Sequence, residues 1–323
     1  MGDTKIYEGE YLGLKTVEFE CGGYSGAFVQ EGANLVRFVY EPDNISILHT
    51  TDNLETLRTS RVIGIPILFF PNRIKNGTFS FEGREYHFPI NDSENNHIHG
   101  LLDGYTKWEL AKKEIADGFV NIVFKHIIDE NSEVYPYFGF NVEITYENVI
   151  TSNGLFQRIS FENQSERNMP FALAYHTTFN VPFTSSPEDK FYVTANLKNK
   201  YETDKCIPTG RLLSLDEFGK KAVSDKGCIV NEYALDNLYL SDDSKANVAV
   251  ITDTGTNIKI VYEADEKFKH YVLYNSDAKQ RFLSIEPQTC CTNAVNSDME
   301  TANLITLKPG EEINFYTKIY IKH

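Results

Sequence analysis

The stretch INFYTKIYI, residues 313–321, decides the fold class of this chain. More apolar and more polar side chains alternate along it, and a period of two residues is typical of a β-strand that buries one face. A helix would instead repeat its apolar positions about every 3.6 residues. The stretch therefore predicts a strand. The residues on its more apolar face are Ile313, Phe315, Thr317, Ile319 and Ile321.

Similar alternating runs recur along the chain, for example at residues 34–40 and 119–127. They are rich in β-branched and aromatic residues, and turn-forming residues such as Gly, Asp and Asn separate them. Helical periodicity is confined to two short segments near residues 53–60 and 216–224. The pattern predicts an all-β protein with one large antiparallel domain over residues 1–323, built as a sandwich of two extended sheets.

The composition argues against several kinds of partner. The net charge of −15 lacks the basic footprint that nucleic acid requires. The longest apolar run, around residues 63–70, is too short to cross a bilayer, and the first residues lack the apolar core of a secretory signal. The five cysteines form no C-x-x-C pair, so they indicate reduced thiols. We expect a cytoplasmic protein whose partner is neither nucleic acid nor a membrane.

A predicted hairpin around Glu82-Gly83 is flanked by polar residues that can act on a ligand. Arg73 precedes the hairpin, and His97 and His99 follow it after a loop rich in Asn and Asp. Such a hairpin would bring a guanidinium and an imidazole to one place. The alternative for Arg73 is an ordinary ion pair with a carboxylate at the end of a sheet.

The spacing of His97 and His99 also raises the possibility of a metal site. Two residues separated by one position point the same way on a strand, and Asp103 follows four residues later. A metal site of this kind would need a further ligand elsewhere in the chain. We therefore favour a site without metal.

Two further segments carry titratable groups within apolar surroundings. His176 lies in FALAYHTTFN, residues 171–180, and the alternative to a functional role is a hydrogen-bonded core histidine. Glu286 follows an apolar run and precedes Pro287, so we expect it to close a strand that the proline stops. Poor solvation there would raise its pKa and make it a better base, although a glutamate capping loop amides is the alternative.

Several short motifs occur in order along the chain. They are Gly64-Ile65-Pro66, Phe69-Phe70-Pro71-Asn72-Arg73, Phe81-Glu82-Gly83, His99-Gly100, Tyr175-His176, Phe179-Asn180, Glu286-Pro287-Gln288-Thr289 and Leu307-Lys308-Pro309-Gly310-Glu311. Together they resemble the aldose 1-epimerase (galactose mutarotase) family, from about residue 25 to the C-terminus. The resemblance implies a galactose mutarotase-like β-supersandwich of two large, mainly antiparallel sheets, whose concave face binds a hexose and interconverts its α and β anomers.

The resemblance also implies roles for individual residues. Glu286 stands where the family has its general base, and His176 where it has the general acid that protonates the ring oxygen. His99 and Arg73 stand where the charge of ring opening is stabilised. The remaining residues that the resemblance places at or behind the sugar are Asp236, Asn72 and Gln288.

The chemistry of anomer exchange is consistent with this assignment. Opening a hemiacetal requires one proton to be removed and another to be delivered, which we expect about one sugar-ring width away. A carboxylate and an imidazole on neighbouring strands suit this task, each contributing about 10²–10⁴ in rate. We expect both pKa values to be displaced toward neutrality. Since no redox change occurs, we expect no cofactor.

Departures from the family pattern bear on the choice of sugar. They are Leu101, Thr177-Thr178 and Thr292-Asn293-Ala294, which we expect to line the pocket. No obvious cluster of Arg and Lys suggests a phosphate site. We therefore expect a free aldose as the substrate and a monomer or homodimer as the assembly. Two other hypotheses are a non-catalytic sugar-binding or regulatory protein on the same fold and a metal-dependent sugar isomerase.

Overall fold

Antiparallel sheets dominate the structure, as the alternating sequence pattern predicts. The structure is a computed structural model, and it describes residues 4–323. Nine strands form one large sheet, and four of its eight neighbouring pairs are strands that follow one another in the sequence. From edge to edge these strands are Glu109–Ala116, Phe119–Ile128, Val142–Thr151, Gly154–Asn163, Glu312–Lys322, Lys259–Ala264, Asn247–Asp253, Phe191–Ala195 and Cys228–Ile229.

A second large sheet has eight strands and carries the site described below. In order they are Ile207–Leu213, Asn199–Asp204, Asp236–Leu240, His270–Tyr274, Phe282–Gln288, Ala174–Tyr175 and Ile67–Leu68, and Thr177–Asn180 also pairs with Phe282–Gln288.

A third sheet of five strands is a simple meander near the N-terminus. Its strands are Lys5–Tyr11, Leu14–Cys21, Tyr24–Val29, Asn34–Tyr40 and Ile45–Ser46. Three strand pairs complete the structure: Arg73–Ile74 with His97–Ile98, Thr78–Phe81 with Arg84–His87, and Met169–Phe171 with Ile305–Leu307.

The strand Glu312–Lys322 shows why alternation predicts the fold. It lies inside the nine-stranded sheet, where it pairs with Gly154–Asn163 on one side and Lys259–Ala264 on the other. Phe315, Thr317 and Ile319 are buried, while Tyr316 and Lys318 between them are partly exposed. One face of the strand therefore packs into the core, and the other faces solvent.

The two large sheets share an aromatic core. Tyr146 of the nine-stranded sheet lies against Tyr175 of the eight-stranded sheet, with ring centroids 6.3 Å apart. Tyr262 and Phe179 form a similar contact between the same sheets at 5.6 Å. Rings packed at such distances interdigitate across the interface and exclude water. The sandwich of two large, mainly antiparallel sheets is therefore confirmed.

The helices are short and lie outside the sheets. They are Leu54–Thr59, Tyr135–Phe138 and Glu217–Ala222, and the 3₁₀ turns are Glu41–Asp43, Lys75–Gly77, Glu188–Lys190, Ala294–Asn296 and Glu300–Ala302. Asn53 and Asp216 cap two of the helices, each accepting a hydrogen bond from a backbone amide at 2.8 Å. Both predicted helical segments are thus confirmed. None of the helices within residues 4–323 has the length and apolarity needed to traverse a bilayer.

Candidate active site

One face of the eight-stranded sheet gathers the candidate residues by register. Val272 is paired with Glu286, and Asp236 is paired with Tyr274 on the neighbouring strands. Cross-strand partners project to the same side of a sheet, and so do residues two positions apart such as Val272 and Tyr274. The four side chains therefore share one face.

His176 completes this row from the other side of Glu286. Ala174 is paired with Gln288 and Thr177 with Ile285, and the same register places His176 opposite Glu286. The ladder is interrupted between these two pairs, so His176 belongs to no strand. Its backbone amide donates to the carbonyl oxygen of Pro66 at 3.0 Å, on the opposite side.

The predicted end of the strand at Glu286 is wrong. The strand Phe282–Gln288 continues through Pro287, and Glu286 lies within it. Pro287 has no N–H to donate, and the interruption of the ladder beside Ala174–Tyr175 falls at this position. The proline is therefore tolerated inside the sheet because its neighbour on that side leaves the ladder.

A cavity of about 270 Å³ opens over this face. Its volume is close to the lower end, about 300 Å³, of the range usual for small-molecule sites. The side chains come from the eight-stranded sheet, from the pair of strands around Arg73, and from the segment that follows the first helix. The residues that line it are Thr59, Arg61, Val62, Asn72, Arg73, Ile98, His99, His176, Asp236, Val272, Tyr274 and Glu286.

Glu286 and His176 are in direct contact. The carboxyl Oε1 lies 3.3 Å from the imidazole Nε2, and the two side chains are 2% and 6% exposed. Burial is the main cause that raises the pKa of Glu286 well above its usual value, and the nearby Asp236 adds to the rise. Burial lowers the pKa of His176 to about 3. Burial thus favours the neutral form of both groups in the free pocket.

The geometry and burial of this pair differ from two expectations drawn from the sequence, on their distance and on their pKa values. The groups are closer than one sugar ring, which suits the chemistry because both hemiacetal oxygens are bonded to the same carbon. The pKa of Glu286 moves toward neutrality as predicted, but that of His176 moves away from it, because the ring is buried. The second expectation is thus correct for the carboxyl group and wrong for the imidazole.

Asp236 and Gln288 occupy different positions around Glu286. Gln288 is fully buried behind the cavity, and its Nε2 lies 3.4 Å from Glu286 Oε2. Asp236 is exposed at the rim, where its Oδ2 lies 3.4 Å from the thiol sulfur of Cys206. Gln288 can therefore orient the carboxyl group, whereas Asp236 can reach a ligand.

Arg73 is held in place at the cavity wall. Its Nε donates to Asp92 Oδ2 at 3.0 Å, and its Nη1 donates to Asn72 Oδ1 at 3.2 Å. Asp92 lies in the Asn- and Asp-rich loop after the predicted hairpin, which is confirmed as Thr78–Phe81 with Arg84–His87. The ion pair that was the alternative for Arg73 thus exists, and it presents the guanidinium to the cavity.

His97 and His99 face different surroundings. The strand ends at Ile98, and His99 takes a left-handed conformation with φ 66°, so the prediction that both lie on one strand is wrong. His97 makes a 2.8 Å hydrogen bond to the carbonyl of Pro89. His99 lines the cavity, where its ring centroid is 5.4 Å from that of His176. The two imidazoles are therefore not arranged to share a metal ion.

The turn after His99 depends on a glycine. Gly100 has φ 78°, and a Cβ at this position would lie 2.2 Å from the carbonyl carbon of Phe69. The amide of His99 donates to the carbonyl of Asn72 at 2.8 Å. The His99-Gly100 turn thus packs tightly against the segment that also carries Asn72.

Sequence reasoning missed six of the twelve cavity residues, among them Arg61 and Tyr274. Tyr274 pairs with Asp236, so its place follows from the register, which the sequence alone does not provide. Arg61 follows the short helix Leu54–Thr59 and belongs to no recognisable motif. An arginine directly before the apolar run at residues 62–70 was the only signal that could have drawn attention to it.

The departures from the family pattern do not line the cavity, contrary to the prediction. The hydroxyl of Thr177 bonds to Tyr262 at 2.9 Å, and that of Thr178 to Ser284 at 2.8 Å, both in the buried interior. Leu101 and Thr292 lie beside other surface concavities. Thr177 therefore packs between the two large sheets, whereas Thr178 is buried beside the site, on the same side of the sheet as Glu286.

Comparisons with known proteins agree with the fold. YihR, an uncharacterized protein of Escherichia coli K12, is 24% identical over 311 residues, which are 95% of this chain and 93% of YihR. Human galactose mutarotase is 31% identical over 143 residues, 44% of this chain and 39% of that protein. A galactose mutarotase-like protein of Clostridium acetobutylicum has a solved structure that covers 99% of both chains, with a TM-score of 0.95 and 29% identity.

A sequence model of one family spans nearly the whole chain. It describes aldose 1-epimerase and matches residues 15–320. That range includes the strands of both large sheets and every residue that lines the cavity. The chain therefore belongs to the aldose 1-epimerase family.

Proposed function

We propose that the protein is an aldose 1-epimerase that interconverts the α and β anomers of a hexose. The observation that carries the proposal is the contact between Glu286 and His176, 3.3 Å apart at the floor of a cavity. A buried carboxyl group beside a buried imidazole is costly to maintain for folding alone, since each group loses its hydration. Its presence in a cavity favours a role in proton transfer.

The reaction opens the ring with two coupled proton movements. The Glu286 carboxylate removes the proton of the anomeric hydroxyl, and the electrons of that O–H bond form the carbonyl. The bond between the anomeric carbon and the ring oxygen breaks, and the ring oxygen takes the proton of the protonated His176. Rotation of the aldehyde and the reverse steps give the other anomer. Each group contributes about 10²–10⁴ in rate by general acid–base catalysis.

The pair keeps a single proton throughout this cycle. In the free pocket burial favours the protonated carboxyl group and the neutral imidazole. Transfer of the proton across the 3.3 Å contact gives the charged pair that begins ring opening. Once the ring is open, the neutral pair returns. No proton therefore needs to enter from solvent, which suits a buried acid–base pair.

The cavity wall supplies the groups that adjust this balance. Arg73 lowers the pKa of Glu286, in opposition to burial, and so favours the carboxylate that acts as the base. His99 lies beside His176, and its own pKa is lowered well below the usual value, mainly by burial. A neutral His99 can donate a hydrogen bond to a sugar oxygen. Asp236 at the rim can accept hydrogen bonds from sugar hydroxyls.

Exchange NMR on a panel of free aldoses tests the proposal. The wild-type protein should accelerate anomer exchange, and Glu286→Gln and His176→Asn should each reduce kcat about 10²–10⁴-fold. Glu85→Gln, the same chemical change on the exposed hairpin, is the matched control and should retain full activity. Full activity of Glu286→Gln would remove the assignment of the base. Lack of acceleration on every sugar, together with measurable sugar binding, would identify a non-catalytic binding protein.

A further inference from the structure

Arg61 is a cation of the cavity for which the protein provides no partner. Its side chain lines the cavity and is partly buried. Within residues 4–323 its guanidinium makes neither a hydrogen bond nor an ion pair. Burial lowers its pKa, which shows that the charge is held at a cost. An unpaired guanidinium in a partly dry site is expected to be compensated by something else.

The other half-buried arginines in the described part of the chain are all engaged. Each makes an ion pair or a hydrogen bond to a carbonyl or hydroxyl oxygen of the protein. They are Arg37, Arg58, Arg73, Arg158 and Arg167. Arg58 lies in the helix three residues before Arg61, and it pairs with Glu31 at 2.7 Å. Among the half-buried arginines of the described residues, Arg61 is thus the one without a partner, although Arg73 also lines the cavity.

Within the described residues, the carboxylate that acts on Arg61 makes its hydrogen bonds within its own loop. Asp103 raises the pKa of Arg61 through space but forms no ion pair with it. Its Oδ1 accepts hydrogen bonds from the amide of Tyr105 at 2.8 Å and from the hydroxyl of Thr106 at 3.2 Å. Asp103 therefore stabilises its own loop and leaves the donors of Arg61 available to a ligand.

The position of Arg61 within the cavity identifies which end of a sugar it would meet. It is close enough to His99 and His176 to lower the pKa of both imidazoles. The charges that act on Glu286 are instead those of Asp236 and Arg73. Arg61 thus lies on the side of the imidazoles, Asp236 lies at the rim near Glu286, and Arg73 acts on both Glu286 and His99.

The proposed reaction indicates which part of a bound sugar would lie on the side of Arg61. His176 serves the ring oxygen, and the carbon bonded to that oxygen on the side away from the anomeric centre carries the exocyclic carbon of a hexose. A group on that exocyclic carbon lies beside the ring oxygen and therefore beside the groups near His176. A planar guanidinium binds carboxylate, phosphate and sulfonate groups through paired N–H donors.

We infer that Arg61 selects an aldose whose exocyclic carbon carries an anionic group, and that neutral hexoses are the poorer substrates. The inference rests on the proposed epimerase function, because it uses the orientation that the acid–base pair imposes on the ring. The shared chemistry is a negative charge at carbon 6. A carboxylate, a phosphate and a sulfonate differ in size and charge, so they are separate arms of the test.

The test compares anomer exchange of glucose, glucuronate, glucose 6-phosphate and 6-deoxy-6-sulfoglucose. For the wild-type protein, kcat/KM should be at least about tenfold higher for one of the anions than for glucose. Arg61→Gln should reduce this ratio about 10- to 100-fold, mainly through KM, as expected when a charged hydrogen bond is lost. Arg84→Gln, an exposed arginine on the hairpin, is the control and should leave the ratio unchanged.

The outcomes separate the inference from the proposed function. Acceleration of glucose with no preference for any anion would overturn the inference and leave the epimerase proposal standing. A preference for an anion that persists in Arg61→Gln would likewise overturn the inference and leave the epimerase proposal standing. If no sugar is accelerated, the epimerase proposal fails. Calorimetric binding of glucose 6-phosphate and glucuronate then decides the inference, which is wrong if neither ligand binds more weakly to Arg61→Gln.

Two measurements guard against a variant that does not fold. Arg61→Lys keeps the charge and should retain part of the preference for anions, because a lysine cannot form the paired hydrogen bonds. In the wild-type protein, raising the salt concentration from about 0.02 to about 0.5 M should reduce kcat/KM several-fold for the preferred anion and not for glucose. Equal salt effects on both sugars would contradict the inference.

Discussion

Acid should destabilise the protein because its buried imidazoles stay neutral in the folded state. The substitution His270→Gln measures how much of the lost free energy of unfolding comes from His270. His270 is fully buried next to the hydroxyl of Tyr201 and the carbonyl of Thr301, and burial lowers its pKa to about 4. Its ordinary value is 6.5. The stability that comes from keeping the ring neutral is present above the unfolded pKa and is lost as the pH falls toward the folded one.

The magnitude follows from proton uptake by the unfolded chain. Each pH unit below the ordinary pKa costs about 1.4 kcal/mol per imidazole that stays neutral in the folded state. Between pH 7.5 and pH 5.0 the loss from His270 alone is therefore about 2 kcal/mol. The buried aspartates with lowered pKa values, such as Asp92 and Asp253, titrate below this window. The free energy lost on acidification should thus shrink by about 2 kcal/mol in His270→Gln.

Urea denaturation at the two pH values measures this difference. Glu286→Gln should change it in the opposite direction, because the raised pKa of Glu286 makes protonation in acid favour the folded state. His87→Gln is the control, since that ring is exposed on the hairpin. If His270→Gln and the wild-type protein lose the same free energy between pH 7.5 and pH 5.0, His270 is not held neutral by burial.

Three further changes test how the site is supported. Asp92→Asn removes the ion pair of Arg73, so kcat/KM should fall about 10-fold with little change in the urea midpoint; an unchanged rate would show that Arg73 needs no anchor. Gly100→Ala should destabilise the protein by about 2–4 kcal/mol, because a Cβ would collide with Phe69 at a positive φ, and a melting curve like that of the wild type would contradict this. Thr178→Val should lower stability by about 1 kcal/mol and leave kcat unaltered, as anomer exchange and denaturation will show, since its hydroxyl is buried against Ser284 and does not line the cavity.

The alternating pattern was sufficient to predict the sheets, because each strand buries one face. The last long strand shows this, with Phe315 and Ile319 buried as the pattern requires. The two short helices were also predictable, since Asn53 and Asp216 provide caps at their first turns. These features depend on neighbours within a few residues, which the sequence contains directly.

The failures all concern contacts between distant segments. Pro287 suggested the end of a strand, but the interruption of the neighbouring strand allows Phe282–Gln288 to continue. His99 lies outside the strand of His97 because the turn that follows it packs against another segment. Arg61 was missed because only the folded chain shows that it lacks a partner. Such facts require knowledge of which strands become neighbours.

The facing positions of His176 and Glu286 have a consequence for how this protein can be altered. The hydrogen-bonded strand pairs on either side of His176 fix the separation of these two groups. Arg61 instead reaches the cavity from the segment that follows a helix. In the proposed mechanism, proton exchange and substrate preference are thereby assigned to separable parts of the chain. Substitutions in the segment around Arg61 should therefore change the substrate preference while Glu286 and His176 keep their positions.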